Sequence, residues 1–89
     1  MVRLFIRHNV EDYQAWRKAY DEFDQQRRSM GVTDDAVFQS IDSPNDVTVW
    51  HDFDTAEAAQ ALASSDELRN GMQNAGVQGE PQVWFVTPS

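Results

Sequence analysis

Within the first sixteen residues the apolar side chains change period, and that change limits the chain to folds in which a strand feeds directly into a helix. From Val2 to His8 the side chains alternate, placing Val2, Leu4, Ile6 and His8 on one face of a strand and Arg3, Phe5 and Arg7 on the other. From Tyr13 the large residues fall instead at Tyr13, Trp16, Tyr20, Phe23 and, after Arg27, at Met30, alternately three and four apart, which is the spacing of one helix face. Between the two patterns Asn9 stands three residues before Asp12, a capping-box-like arrangement. There Asn9 accepts from the orphan amides, and Glu11 and Asp12 meet the positive end of the helix. Gly31 is placed to stop it, so a single long helix is expected from this junction to Met30.

The rest of the chain repeats the alternation between periods. Ala36 to Ile41 reads as a second strand, and Asp42-Ser43-Pro44-Asn45-Asp46 as a tight connection. Val47 to Phe53 reads as a third strand, making a hairpin with the second. Asp54-Thr55-Ala56-Glu57 opens an Ala-rich helix through Ala63, and Ser64-Ser65-Asp66-Glu67 opens a further short helix to Ala75, with Leu68, Met72 and Ala75 inward and Gly76 as its stop. Gly79-Glu80-Pro81 reads as the last turn before a fourth strand, Gln82 to Val86.

The order β-α-β-β-α-β predicts a single α+β domain over residues 1–89, a ferredoxin-like plait whose four-stranded antiparallel sheet carries its helices on one face. In that topology the first and third strands are antiparallel neighbours. If Arg3 lies opposite Asp52, then Phe5 pairs with Trp50 and Arg7 with Thr48, all on the face away from the helices. A sheet face bearing Phe5, Trp50 and one of Trp84 or Phe85 is too apolar to stay wet, and its Arg and Asp neighbours suit partner pairing. Arg3, Phe5, Arg7, Trp50 and Asp52 are therefore the expected contacts of a two-fold homodimer in which two sheets close into a dimeric α+β barrel.

Charge and composition narrow the function classes. Fifteen acidic residues, ten of them Asp, against six Arg and one Lys give a net charge of -8. Such a surface repels phosphate backbones and anionic headgroups, so no nucleic acid and no membrane partner is expected. An Asp-rich, Lys-poor surface suits a salt-tolerant proteome as well as an ordinary acidic cytosolic protein. No stretch of about 18 apolar residues and no leader pattern is present, and a cytoplasmic location is expected. The absence of cysteine removes disulfides, thiol catalysis and thiolate metal sites. Asp34-Asp35 and Asp52-x-Asp54 lack the ligand density of a loop metal site, and no metal is expected.

His8 and His51 are the only side chains that titrate near neutrality without perturbation, so either could act as general acid or base. They end strands that run in opposite directions and are expected at opposite edges of the sheet, too far apart to share one site. His8 is the better placed, facing the helices beside Tyr13, whose hydroxyl could orient an imidazole or a ligand. The rival reading is a histidine on the rim that caps the strand end or pairs with an acid. The aromatic stripe reads first as core.

The strand ending in His8, the Asp12-Tyr13-x-x-Trp16 helix opening, Ser65-x-Glu67-Leu68-Arg69 and Gly79-Glu80-Pro81 together resemble the small dimeric α+β barrel proteins, including antibiotic-biosynthesis-monooxygenase-like proteins and short relatives known as cyclases. The resemblance covers nearly the whole chain. It implies a homodimer with one pocket per subunit, between sheet and helices, taking a flat hydrophobic molecule such as a polyketide-derived ring. Relatives that oxidise anthrone-like substrates use no metal or organic cofactor, so none is expected here. The haem-degrading branch combines an Asn ending the first strand, a Trp on the third and a haem-ligating His in the later helical region. Asn9 and Trp50 look similar, but residues 54 to 75 contain no His to hold the iron.

Two functional readings follow. One is a cofactor-independent monooxygenase- or cyclase-like enzyme with His8 and Tyr13 as catalytic residues and Asn9, Trp16 and His51 contacting the ligand. The other is a non-catalytic dimer that binds a ligand or serves a structural or regulatory role. A pocket above about 300 Å³ between sheet and first helix would favour ligand binding, and a fully packed interior would exclude it.

Overall fold

A computed structural model describes all 89 residues. The strands are β1 (Val2–Val10), β2 (Val32–Gln39), β3 (Asp46–Phe53) and β4 (Val77–Val86); the helices are α1 (Tyr13–Glu22), α2 (Asp24–Ser29), α3 (Ala56–Ala63) and α4 (Asp66–Asn74). All strand pairs are antiparallel in the order β2-β3-β1-β4, which is the expected ferredoxin-like plait with each helical segment split in two. The register is also as expected, with Arg3 opposite Asp52, Phe5 opposite Trp50 and Arg7 opposite Thr48.

The single long helix to Met30 is a correction. The chain breaks at Phe23 (φ -90°, ψ 2°), whose amide turns back to the Tyr20 carbonyl, and α2 starts afresh. Arg27 explains the break. Its guanidinium donates to that same Tyr20 carbonyl and lies 3.6 Å over the Tyr20 ring, so the carbonyl exposed by the interruption is satisfied by a side chain.

Asn9 does not cap α1. It continues β1, between Asp46 and Gln78. The cap is Asp12, whose carboxylate accepts from the Gln14 amide at 3.2 Å, while Asn45 Oδ1 from the β2–β3 connection accepts from the Tyr13 amide at 3.1 Å. A tertiary contact thus does what a capping box was expected to do. Thr55, not Asp54, caps α3, and Ser65 caps α4 as expected. β2 starts earlier than its apolar pattern suggests, because Asp35 is paired with Arg27 and Arg28 and Thr33 donates to the Asp52 carbonyl, which lets polar residues join the ladder. Ile41 lies outside the strand, fully exposed.

Gly79-Glu80-Pro81 lies inside β4, where a turn was expected. Arg7 pairs with Gln82 and Asn9 with Gln78, so His8 alone faces Gly79, Glu80 and Pro81 across a bulge. Pro81 has no amide to give the ladder, and Gly79 takes a positive φ of 69° at little cost.

One face of the sheet and the helices share a core of Leu4, Ile6, Val10, Trp16, Val32, Val47, Val49, Phe53, Ala59 and Leu62. The opposite face carries a row across all four strands, Ala36, Trp50, Phe5 and Trp84. Phe5 stacks on Trp84 at 5.2 Å between centroids. The charges beside that row are paired within the chain: Arg3 makes two bonds to Asp52, at 2.7 and 3.0 Å, and Arg7 two to Asp46, at 3.0 and 2.7 Å. No helix is long and apolar enough to cross a membrane.

Candidate functional site

Between the helices and the covered sheet face lies a mostly apolar cavity of about 70 Å³, lined by Ile6, Val49, Trp16, Phe23, Leu68 and Met72 among others, with His8, Tyr20, Arg27, His51 and Glu67 as its polar members. Its volume is well under the 300 Å³ that would hold a drug-sized ligand, yet the interior is not fully packed. The wall held least firmly is α4, none of whose residues is fully buried, although Leu68 and Met72 pack against the core.

The two histidines, expected at separate edges, line this one cavity. His51 lies opposite Leu4 and His8 opposite Val47, so the sheet alone holds them four positions apart on β1. Helix α1 spans the gap, since Trp16 and Tyr20 sit one turn apart on the same face. The His8 ring meets Trp16 edge-on at 5.6 Å, Trp16 stacks on Tyr20 at 4.9 Å, and Tyr20 stacks on His51 at 6.0 Å. Trp16 is 3% exposed, so it is a core residue that also lines the site.

The hydroxyl that meets an imidazole is that of Tyr20, not Tyr13. Tyr20 Oη lies 2.9 Å from His51 Nε2 and 3.4 Å from an oxygen of Asp35. The hydroxyl donates to Asp35 and is also the hydrogen-bond partner of His51 Nε2, the direction of that second bond following the ring's tautomer. Burial, with Arg27 and Arg28 nearby, pushes His51 down to about 4, so the ring is uncharged at neutral pH. Burial also raises Tyr20, and Asp35 adds to the rise against the opposing pull of Arg27. His8 is lowered, again chiefly by burial. Tyr13 packs on Trp16 at 6.0 Å and is not among the cavity residues.

Three buried side-chain nitrogens have no hydrogen-bond partner: His8 Nδ1, Arg27 Nε and His51 Nδ1. All three belong to residues that line the cavity. Arg27 is 4% exposed, and its carboxylate neighbours are distant, Asp24 at 3.5 Å and Asp35 at 3.7 Å. Tyr20 and Arg27 are the site residues that sequence reasoning passed over. The signal for Arg27 was its place in the stripe, four after Phe23 and three before Met30, where an apolar residue was due.

Asn9 lines a second hollow, a wholly polar pit of about 320 Å³ beside the β4 bulge, which also contains His8, Arg7, Asp46, Gln78 and Gln82. The expected dimer residues Arg3, Phe5, Arg7, Trp50 and Asp52 share the open face. Of these Asp52 is 7% exposed, buried by its own partner Arg3 and the neighbouring strands. No group of three or more His, Asp or Glu side chains is placed to hold a metal ion.

The chain has the ferredoxin-like fold of the antibiotic-biosynthesis-monooxygenase-like proteins along its whole length. A protein of Bordetella bronchiseptica assigned to these monooxygenases superposes with a TM-score of 0.84 at 14% identity, covering 99% of this chain and 96% of that one. SnoaB, a cofactor-independent oxygenase from Streptomyces nogalater, superposes with a TM-score of 0.79 at 10% identity, covering 99% of this chain and 92% of that one. At these identities the likeness is one of fold. No protein-family model and no curated protein sequence matches the chain.

Proposed function

We propose that the chain binds a flat, largely apolar small molecule between α1, α4 and the sheet and acts on it as a cofactor-independent monooxygenase- or cyclase-like protein, as a homodimer formed through the open sheet face. The observation that carries this reading is that three residues lining one apolar cavity, His8, Arg27 and His51, each hold a buried side-chain nitrogen without a hydrogen bond. A buried polar group without a hydrogen bond costs about 1–3 kcal/mol, so their presence around one cavity favours a ligand with polar atoms to meet them. The fold shared with a cofactor-independent oxygenase supports the same direction.

In this reading His8 is the general base, with a free Nδ1, and His51 is a hydrogen-bonding group fixed by Tyr20, which takes the orienting role first expected of Tyr13. Trp16 stacks on the ligand body, whereas Tyr13 stands outside the cavity lining and Asn9 lines the separate polar hollow. An anthrone would give a ring C–H proton to the imidazole, and its carbanion would reduce dioxygen, the balance being anthrone plus dioxygen to anthraquinone plus water. The chain's contribution is the base and a water-poor cavity.

The test is chelator-treated protein with dithranol in air, following anthraquinone absorbance against the protein-free rate. Turnover that falls roughly tenfold or more in His8→Ala supports the role of His8, and unchanged turnover removes it. The small volume of the cavity favours a second reading, a non-catalytic binding or regulatory module, which dithranol binding without turnover would establish. The dimer has its own test: a monomeric mass by light scattering at micromolar concentration in high salt contradicts it.

A further inference from the structure

Asp35 and His51 are direct partners across β2 and β3, and the Tyr20 hydroxyl from α1 meets both, 3.4 Å from Asp35 Oδ2 and 2.9 Å from His51 Nε2. A hydroxyl has one proton to give, and a carboxylate can only accept. Both contacts are hydrogen bonds at once in one arrangement alone: Tyr20 donates to Asp35, and His51 Nε2–H donates to the Tyr20 oxygen. Were the hydroxyl turned toward His51, its lone pairs would face a carboxylate oxygen in a largely buried setting, where such a mismatch is poorly screened. Arg28 and Arg27 flank the same carboxylate at 3.4 and 3.7 Å, which anchors the far end of the chain. With its proton on Nε2, the neutral ring has none on Nδ1, and that nitrogen is buried without a partner in a residue that lines the cavity. Burial, with Arg27 and Arg28 nearby, holds the ring uncharged near pH 7, so Nδ1 takes a hydrogen bond there without taking the proton.

We propose that Asp35, acting through Tyr20, is a positioning residue that holds His51 in its Nε2–H tautomer, so that Nδ1 is a bare acceptor and the cavity selects molecules bearing a ring hydroxyl. The inference rests on the ligand-binding reading of the cavity and adds the class of molecule it takes. A phenol or naphthol O–H donates to Nδ1. An aryl ether or a quinone presents only acceptors and leaves Nδ1 unmet, and a buried group left unmet is what makes a site reject an analogue that lacks the matching hydroxyl. Asp35 itself touches no bound molecule in this scheme. Its part is to fix which nitrogen of a ring two bonds away carries the proton, as a carboxylate behind a metal-bound or catalytic histidine does.

Nitrogen NMR of the intact chain with isotopically labelled histidine, near pH 7 and without added ligand, reads the tautomer directly and needs no variant. The expected result is a His51 with protonated Nε2 and unprotonated Nδ1; the reverse overturns the proposal. Asp35→Ala frees the Tyr20 hydroxyl to donate to Nε2, and the ratio of the Nδ1–H to the Nε2–H form of His51 should rise roughly tenfold or more. Adding Tyr20→Phe to Asp35→Ala, which keeps the ring and removes the hydroxyl, should abolish that switch. A ratio within about twofold of its starting value in folded Asp35→Ala, or a switch that persists without the hydroxyl, overturns the role of Asp35. Selection is read by titrating 1-naphthol and 1-methoxynaphthalene into the same samples. The naphthol should bind roughly fivefold or more tighter than the ether, beyond their difference in partition from water, and Asp35→Ala should erase that preference. Saturable binding of both with no preference overturns the selection of a hydroxyl. If neither binds while the tautomer is as expected and switches with Asp35, the ligand reading of the cavity fails and the positioning chain stands.

Discussion

The two faces of the sheet carry similar residues and treat them in opposite ways. On the open face Arg3 and Arg7 each make a two-bond pair with an aspartate, Arg3 also lies 3.8 Å over Trp50, and the aromatic row remains partly exposed, Trp84 at 41%. On the covered face Arg27, His8 and His51 are almost wholly buried, and each has a nitrogen with no partner. A surface whose charges are satisfied within the chain and whose apolar area is bare has the makeup of an association surface. A surface whose apolar area is buried and whose polar atoms are unmet has that of a ligand site. The division of labour is visible in which kind of atom each face leaves without a partner.

Removing a tryptophan from each face breaks the comparison most sharply. Trp16→Ala is expected to cost about 3–5 kcal/mol in urea unfolding, because a buried ring leaves a cavity. Trp84→Ala should cost the folded chain less than about 1 kcal/mol and instead shift light-scattering mass toward the monomer. Equal losses from the two would erase the distinction.

A second difference is sensitivity to acid. The unfolded His51 titrates near 6.5 and the folded one near 4, so the unfolded chain takes up the proton first. The stability tied to the neutral ring is complete above pH 6.5 and is lost as the pH falls toward 4, by about 3 kcal/mol at most. His51→Gln keeps a hydrogen-bonding partner for Tyr20 and should flatten that part of the curve; an unchanged slope would move the effect to the carboxylates. Smaller still, Asp52→Asn should lower stability slightly by weakening its part-buried pair with Arg3. Arg7→Ala, whose side chain is half exposed, should leave stability unchanged or lower it less than Asp52→Asn does. Chemical denaturation at fixed salt ranks the two.

The fold was legible because it rests on period and pairing. Alternation in Val2–His8 and Val47–Phe53 sets both faces of β1 and β3, and the Arg3–Asp52 register follows from matching charges across antiparallel strands. What escaped sequence reasoning depends on contacts between distant segments. Asn45, from the loop before β3, caps α1 in the place expected of Asn9, and Arg27 supplies the carbonyl partner that lets the first helix break at Phe23. The site was half legible for the same reason. His8 and Trp16 could be placed by their strand and helix positions, but the meeting of His8 with His51 depends on two rings of α1 bridging the space between them. Tyr20 was hidden because it looks like any other member of an apolar stripe.

The most direct measurement is an anaerobic titration of isotopically labelled protein with dithranol, followed by NMR of the aromatic and histidine ring signals. The expected result is saturable shifts at Trp16, Tyr20, His8 and His51, with Phe5, Trp50 and Trp84 unmoved. Shifts confined to Phe5, Trp50 and Trp84 would contradict the assignment of ligand binding to the covered face.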